Sequence, residues 1–375
     1  MNFGLSDEQE LLRAEVRKFL GDRCPIDTVR LLAETEHAHS PELWKQLAEL
    51  GWLGMIVPEQ YGGSDLGWVE LAVLLIETGR SLLPAPLVAS TLVVATLVDA
   101  ASDEERERWL PGLVDGSTIG SVAILEESES WTPTAIGLRG EPDRDGFVLT
   151  GCKRFVSDPM TADLFLVPFR TGDGEREITV AVVESESDGL SRKSFPSMDR
   201  TRRMGDVLFE GVRVPASQVL GPVGEGWPVV ARLIDRGAVA TAAEICGAAE
   251  ALHRLSLEYA MDRKQFGRPI GAFQGIKHPL AEMYLEVESS KSLLYYAAWV
   301  LTHRPDEVPR AASCAKAYAS EKFVRIGVDA IQIHGAVGYT DDCPVHLYFK
   351  RAKWARPSYG DSNYHFDRIV GLRGL

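Results

Sequence analysis

Apolar residues recur at helical spacing through the first 118 residues of the chain. From Ser6 onward they lie three or four positions apart, and Ser6 with Gln9 has the form of a capping box, so we expect the chain to open with a helix. The apolar positions of this helix are Leu11, Leu12, Val16, Phe19 and Leu20. Further helical patterns cover Pro41–Leu50, Val69–Arg80, Leu87–Val98 and Asp103–Val114. The pattern predicts an all-helical N-terminal domain over residues 1–118.

The pattern changes between residues 119 and 222. Short runs of β-branched and aromatic residues alternate with turn sequences such as Asp145-Gly146, which is typical of strands joined by hairpins. The runs are Ser121–Leu125, Phe147–Thr150, Arg154–Ser157, Leu164–Val167, Ile178–Val183 and Val207–Phe209. We expect a small antiparallel barrel or sandwich. From residue 223 onward the pattern is helical again, and long alanine-rich stretches at 228–261, 273–302 and 307–334 predict a bundle.

Composition and charge exclude several classes of function. The 375 residues are 45% apolar and 25% charged, as in soluble globular proteins. The 40 basic and 54 acidic side chains give a net charge of −14, which disfavours binding to nucleic acid or anionic lipid. The five cysteines are odd in number and form no CxxC pair, so we expect neither a disulfide framework nor structural zinc, and a reducing cytoplasm.

Targeting segments and metal sites are also not expected. The acidic N-terminus is unlike a signal peptide. The most apolar stretch, Leu82–Val98, is shorter than the roughly 20 residues of a spanning helix. His334, His346 and His365 lack the spacing of metal ligands, so no metal is expected.

Two carboxylates in the first long helix of the bundle are candidates for chemistry. Asp235 shares a helical face with small apolar residues, where a charge is costly unless it is paired or used. The alternative is a structural carboxylate paired with Arg232 or Arg236, and Glu244 poses the same choice.

Two other segments place glycines beside cationic or amide donors at helix ends, namely Arg263–Gln274 and Gln332–Tyr339. Such ends bring backbone N–H groups and an arginine close to phosphate. The glycine-rich stretch Gly221–Gly226 lacks the strand–turn–helix surroundings of a dinucleotide site and is interpreted as a turn.

Several motifs, in order along the chain, closely resemble those of the flavin-dependent acyl-CoA dehydrogenase family. They are Leu5–Gln9, Pro58–Gly63, Gly151–Ser157, Tyr259–Gly271 followed by Phe273-Gln274, and Gln332–Gly335. The resemblance implies an α+β multidomain fold: an N-terminal helical domain (1–118), a middle antiparallel β-barrel or sandwich (119–222) and a C-terminal four-helix bundle (223–375). It also implies FAD held between the β-domain and the bundle, with a neighbouring subunit completing the pocket.

The resemblance assigns roles to individual residues. Phe155 and Ser157 take the places beside the isoalloxazine ring. The residues that take the places of FAD contacts across a subunit interface are Arg263, Phe266, Gln274, Gln332 and Gly335. Asp361 falls where a threonine usually meets the cofactor's phosphates, and an anion there repels pyrophosphate unless it is protonated or paired with a cation.

The family's reaction removes the α-proton of an acyl-CoA with a carboxylate while the β-hydrogen leaves as hydride to the flavin, giving a trans-2-enoyl-CoA. Tyr359 stands where many members have the glutamate base, whereas Asp235-Arg236 fits the position of members that carry the base on the first bundle helix. Asp235 is therefore the expected base, and Arg236 its electrostatic partner near the thioester. The family's threonine–glutamate–proline stretch is altered here to Leu125–Ser128, followed by Trp131–Thr134.

We therefore expect a cytoplasmic FAD-dependent acyl-CoA dehydrogenase, active alone or as one subunit of a heteromer. The pattern resembles small bacterial subunits that work in unlike pairs on bulky side chains such as those of steroids. This implies a homotetramer or a heterotetramer, with electron-transfer flavoprotein or a similar acceptor as a partner. One alternative is a non-catalytic subunit that completes the FAD pocket of an unlike chain. Another is a different flavin reaction on the same scaffold, such as oxygen-dependent hydroxylation.

Overall fold

The computed structural model describes residues 4–374, and the chain is helical up to residue 115, as predicted. The helices are α1 (Asp7–Arg23), α2 (Ile26–Glu34), α3 (Pro41–Glu49), α4 (Trp68–Arg80), α5 (Leu87–Ala100) and α6 (Asp103–Asp115). The capping box that opens α1 is confirmed: the Gln9 amide donates to Ser6 Oγ (3.3 Å), and the Ser6 amide donates to Gln9 Oε1 (2.9 Å). Ser102 and Glu105 form the same box at the start of α6.

Between residues 120 and 220, all of which the structure describes, eight strands form one mixed sheet. They are β1 (Gly120–Val122), β2 (Arg139–Asp143), β3 (Gly146–Ser157), β4 (Leu164–Arg170), β5 (Ile178–Glu184), β6 (Leu190–Phe195), β7 (Met204–Pro215) and β8 (Val219–Leu220). The order is β6-β7-β3-β2-β4-β5-β8, and β1 also pairs with β4. Most pairs are antiparallel, as predicted, but β1 and β2 each run parallel to β4. Phe165, Phe169 and Phe209 are fully buried in the core on this sheet.

The predicted helical C-terminal region is confirmed. It consists of α7 (Trp227–Asp262), a short hairpin of β9 (Lys264–Gln265) and β10 (Arg268–Pro269), α8 (Gln274–His303), α9 (Val308–His334), α10 (Val345–Ala355) and α11 (Ser362–Leu372). Both α10 and α11 pack on α9. Gly221–Gly226 is a turn before α7, in agreement with the sequence interpretation.

The chain forms two compact units. One contains the described residues up to Leu31, Trp68–Leu83 and those from Ala238 onward, and the other contains Leu32–Gly67 and Pro84–Gly237. The three-domain division at residues 118 and 222 stays a prediction. Among the helices of residues 4–374, none is long and apolar enough to span a bilayer.

Candidate functional site

Phe155 lies in a β-bulge of β3. The pairing of β3 with β7 shifts between Lys153 and Val156, and Phe155 has a left-handed backbone (φ +53°). A bulge of this kind redirects the side chain of the inserted residue. The half-buried ring packs edge-on against Phe195, with 5.5 Å between ring centroids, and the Arg154 guanidinium lies 5.3 Å from the ring centroid. The bulge therefore fixes the ring that the resemblance places beside the flavin.

Ser157 ends the same strand. It is half-buried, and its carbonyl accepts a hydrogen bond from Ser121 Oγ at 2.6 Å. Strand β1 thus holds the backbone of the second predicted flavin contact.

A buried ion pair lies two residues before the bulge. The Lys153 ammonium is fully buried and donates to Glu126 Oε1 (2.6 Å) and to the Ile124 carbonyl (3.3 Å). The Glu126 carboxylate also accepts from the amides of Gly137 (2.9 Å) and Leu138 (3.0 Å). Burial lowers the pKa of Lys153, and Glu126 opposes that shift. Sequence reasoning missed this pair, although Glu126 lies in the stretch noted as altered.

Asp235 and Arg236 lie on α7. The Asp235 side chain is only 2% exposed. The Arg236 guanidinium donates to the Ala95 carbonyl (3.0 Å) and to the Asp99 carboxylate (2.5 Å), both near the C-terminal end of α5. These contacts give Arg236 a structural use as an anchor for α7. Its role toward the thioester, like the role of Asp235 as base, stays a prediction.

The other candidate carboxylate, Glu244, is 3% exposed and lies where α7 crosses α4. A Cβ atom added to Gly79 would lie 2.1 Å from the Glu244 carbonyl oxygen, and one added to Gly247 would lie 1.7 Å from the Ile76 carbonyl oxygen. Because neither glycine could carry a side chain here, the two helix backbones are nearly in contact. The close crossing therefore holds Glu244 in a fixed place against α4.

The predicted FAD contacts of the hairpin are on the surface. Arg263 is exposed, and Phe266 is 92% exposed with a left-handed backbone (φ +52°) at the hairpin turn. Gln274, also exposed, is the first residue of α8, and no side chain caps this helix. A phenylalanine held out from the surface by a tight turn is typical of a group that contacts another molecule.

The end of α9 presents the other predicted contacts. Gln332 is exposed, and Gly335 ends the helix with φ +62°. His334, between them, is buried: its ring stacks on Tyr259 at 4.4 Å, and its Nδ1 lies 2.8 Å from the Ala330 carbonyl. Burial lowers the pKa of His334. This histidine therefore has a packing role, and the described residues contain no cluster that could hold a metal ion.

Asp361 is the N-cap of α11. Its carboxylate accepts a hydrogen bond from the Tyr364 amide at 2.9 Å. The preceding residues, Tyr359 and Gly360, both have positive φ. A buried lysine, Lys316, donates to the Gly360 carbonyl, and sequence reasoning did not identify it. A buried lysine differs from a surface lysine only in its position in the fold, which the residue type does not reveal.

Family models and a curated relative agree with the resemblance. The model of the acyl-CoA dehydrogenase N-terminal domain matches residues 6–117, and the model of the C-terminal domain matches residues 224–371. The chain is 30% identical to the probable acyl-CoA dehydrogenase YngJ of Bacillus subtilis (strain 168), and the alignment covers 100% of both proteins.

Solved structures share the fold over nearly the whole chain. A variant of the Tcur3481-Tcur3483 steroid ACAD has a TM-score of 0.89 at 30% identity, covering 98% of each chain. The ChsE4-ChsE5 complex from Mycobacterium tuberculosis has a TM-score of 0.91 at 27% identity, covering 100% of this chain and 99% of that one. PigA, solved with FAD and proline, has a TM-score of 0.92 at 25% identity, covering 100% of both.

The residues on these surfaces fit FAD. A dinucleotide cofactor needs a cation and N–H donors for its phosphates, and Arg263 with the uncapped start of α8 supplies both. A Cβ atom added to Gly335 would meet nothing within 4 Å, so this helix end is open to solvent. Phe155 and Phe266 offer aromatic faces. Nothing in this donor set conflicts with the cofactor except the carboxylate of Asp361.

Proposed function

The chain belongs to the acyl-CoA dehydrogenase family, and on this premise we propose that it dehydrogenates the α,β bond of an acyl-CoA thioester to a trans-2-enoyl-CoA. Membership makes it a flavoprotein oxidoreductase that acts on acyl-CoA with FAD as its cofactor. When bound, FAD supplies the acceptor for the hydride that leaves the β-carbon.

In this proposal Asp235 takes the proton from the α-carbon. The observation that carries the proposal is a carboxylate 2% exposed on α7, on a helix face of small residues. A general base must be held in a fixed direction toward the proton it removes, and a packed helix provides this. Arg236, held by Asp99, keeps a positive charge one residue away.

In this proposal each FAD pocket is built by two chains. One chain holds the flavin ring with Phe155 and Ser157. The other chain completes the pocket with Arg263, Phe266, Gln274, Gln332 and Gly335. The exposure of Phe266 and Arg263 supports this arrangement, because these side chains are left in water in a single chain. A tetramer of two such dimers follows, built from identical or unlike chains. The ChsE4-ChsE5 complex, which carries two chain names, supports the unlike pair.

The substrate in this proposal has a bulky acyl group such as a steroid side chain, which the steroid ACAD among the similar structures supports. Electron-transfer flavoprotein or a similar protein accepts the electrons. The cytoplasmic location is part of the proposal and rests on the cysteine spacing.

Anaerobic titration of the purified FAD protein with a panel of acyl-CoA thioesters tests the proposal. The panel includes straight-chain, branched and steroid side-chain esters. We expect the absorbance of the oxidised flavin to disappear with at least one thioester. A flavin that no thioester reduces, with the chain alone and after co-expression with an unlike family member, would contradict it.

A second candidate is the non-catalytic partner subunit. It is favoured by Tyr359, which stands where many family members have the glutamate base, and by the hydrogen bond of Arg236 to Asp99. In that case substrate reduces the flavin of the unlike chain whether or not Asp235 of this chain is replaced. Flavin counted per chain and light scattering of the assembly separate this candidate from an active homotetramer.

A further inference from the structure

Lys316 is a fully buried lysine at the centre of the C-terminal region. Its ammonium donates to Ser320 Oγ (2.9 Å), the Arg356 carbonyl (3.0 Å) and the Gly360 carbonyl (3.0 Å). An ammonium has three N–H donors, and each of these has an oxygen acceptor. Helix α9 is thereby fixed to both ends of the turn that leads from α10 to α11.

This turn, which we call the late turn, is residues 356–361. It holds two positive φ angles in succession, +54° at Tyr359 and +99° at Gly360. Such a conformation costs free energy at a tyrosine and persists only where neighbouring contacts enforce it. A second contact comes from His365, whose buried ring places Nε2 3.1 Å from the Tyr359 carbonyl.

The late turn ends at Asp361, the carboxylate that conflicts with a diphosphate. Asp361 acts electrostatically on Lys316 and raises its pKa, whereas burial, the largest effect, lowers it. Glu321 of α9 also raises the pKa, and Arg356 after α10 lowers it. His365 of α11 is kept neutral because burial, the largest effect, and the Lys316 charge lower its own pKa to about 3. Lys316 is therefore a fully buried cation, bonded to the Gly360 carbonyl next to Asp361, whose pKa the Asp361 carboxylate raises.

We propose that Lys316 is a positioning residue for FAD: it fixes the late turn, and its charge offsets Asp361 so that the cofactor's diphosphate can approach. This inference rests on the proposed function and on the resemblance, which puts Asp361 where the family's cofactor phosphates are met. It explains why an aspartate is tolerated at that position.

If the Lys316 charge offsets Asp361, the affinity for FAD depends on pH. Burial brings the pKa of Lys316 to about 7, so the ammonium loses its proton as pH rises through neutrality. The neutral amine has two N–H groups for three acceptors and no charge to offset Asp361. FAD affinity should therefore fall as pH rises from 6 to 9.

The test is the dissociation constant of FAD, measured by flavin fluorescence between pH 6 and pH 9 on the assembled protein. We expect the wild-type dissociation constant to rise about tenfold over this range, because the loss of one charge interaction of about 1.4 kcal/mol weakens binding about tenfold. K316M should bind FAD weakly with no pH dependence. Lys322 is on the same helix but bonds Glu286 instead, so K322M should keep the wild-type profile.

A second variant covers the case in which K316M does not fold. D361N keeps an N-cap, because asparagine caps helices as well as aspartate. Without the carboxylate, FAD should bind more tightly, and the midpoint of the pH profile should move to lower pH because Asp361 raises the pKa of Lys316. If Lys316 acted only by fixing the turn, the fold-change in the dissociation constant between pH 6 and pH 9 would be the same in D361N as in the wild type; if its charge offsets Asp361, that fold-change becomes smaller.

A pH-independent dissociation constant in the wild-type protein, or the same fold-change in D361N as in the wild type, would overturn the inference and leave the proposed function intact. Failure of the wild-type assembly to bind FAD at every pH would instead overturn the proposed function. The two failures are therefore distinguishable.

Discussion

Two ammonium groups, those of Lys153 and Lys316, are completely buried, and each is surrounded by oxygen acceptors. Burial disfavours the charged form of lysine, and nearby carboxylates oppose that effect: Glu126 for Lys153, and Asp361 with Glu321 for Lys316. Neither lysine could be identified as buried from the sequence, because residue type does not report burial. Glu126 is 27 positions from its partner Lys153, and only the folded sheet brings the two together. By contrast, Asp235 was expected to be buried from the small residues on its helix face, and it is.

The ion pair of Lys153 leads to a prediction about stability. K153M should lower the free energy of unfolding by about 3–5 kcal/mol, because Glu126 then keeps a poorly exposed carboxylate without its cation. Chemical denaturation measures this change. The double variant K153M/E126Q removes the stranded charge and should recover part of the loss. A K153M protein as stable as the wild type would show that the pair does not stabilise the sheet.

At the scale of elements, local patterns predicted most helices correctly, because amphipathic periodicity and capping boxes such as Ser6–Gln9 depend on neighbouring residues only. The bulge in β3 was missed: Phe147–Thr150 and Arg154–Ser157 were separate runs in the sequence but form one strand. Gly151 (φ +149°), between the two runs, and the left-handed Phe155, inside the second run, both depart from regular strand geometry. The parallel pairing of β1 with β4 was also missed, since pairing between distant segments leaves no local signal.

The close crossing of α4 and α7 determines how a side chain at Gly247 affects stability. G247A should destabilise the protein by about 1–3 kcal/mol, because the new methyl group would overlap the Ile76 carbonyl and force the helices apart. The matched control is G21A in α1, where an added Cβ meets nothing within 4 Å. That change should stabilise by about 0.4–1 kcal/mol. Thermal or chemical denaturation of both variants compares them, and equal effects would contradict the close crossing.

In the whole molecule, the C-terminal region carries some of the most exposed apolar side chains. Met261 is 62% exposed and Phe266 is 92% exposed. Together with Leu257 and Tyr284, Met261 lines an apolar groove between α7 and α8. Large apolar groups exposed together are typical of interfaces between chains. The shared pocket stays a prediction that rests on the resemblance, because one chain's sequence does not show which surfaces are covered in an assembly.

Arg263 is one of the exposed cations of this region. If the proposed shared pocket is right, R263A should weaken FAD binding by about 1.5–3 kcal/mol, because it would remove a charge-assisted contact with phosphate. Fluorescence titration of the apoprotein with FAD measures the loss. R254A, on α7 and paired with Glu258, is the control and should bind FAD normally. A stable monomer with one tightly bound FAD would contradict the shared pocket.

Asp235 is the proton acceptor of the proposed reaction, whether the chain works alone or beside an unlike partner, and one measurement tests this role. It is the rate of anaerobic flavin reduction by the best acyl-CoA, compared between the wild-type protein and D235N. Asparagine keeps the shape but cannot accept the proton, so we predict a fall of about 10²-fold or more with FAD still bound. An unchanged rate in D235N would contradict the account and direct the search to Glu244 or to the carboxylate of an unlike partner chain.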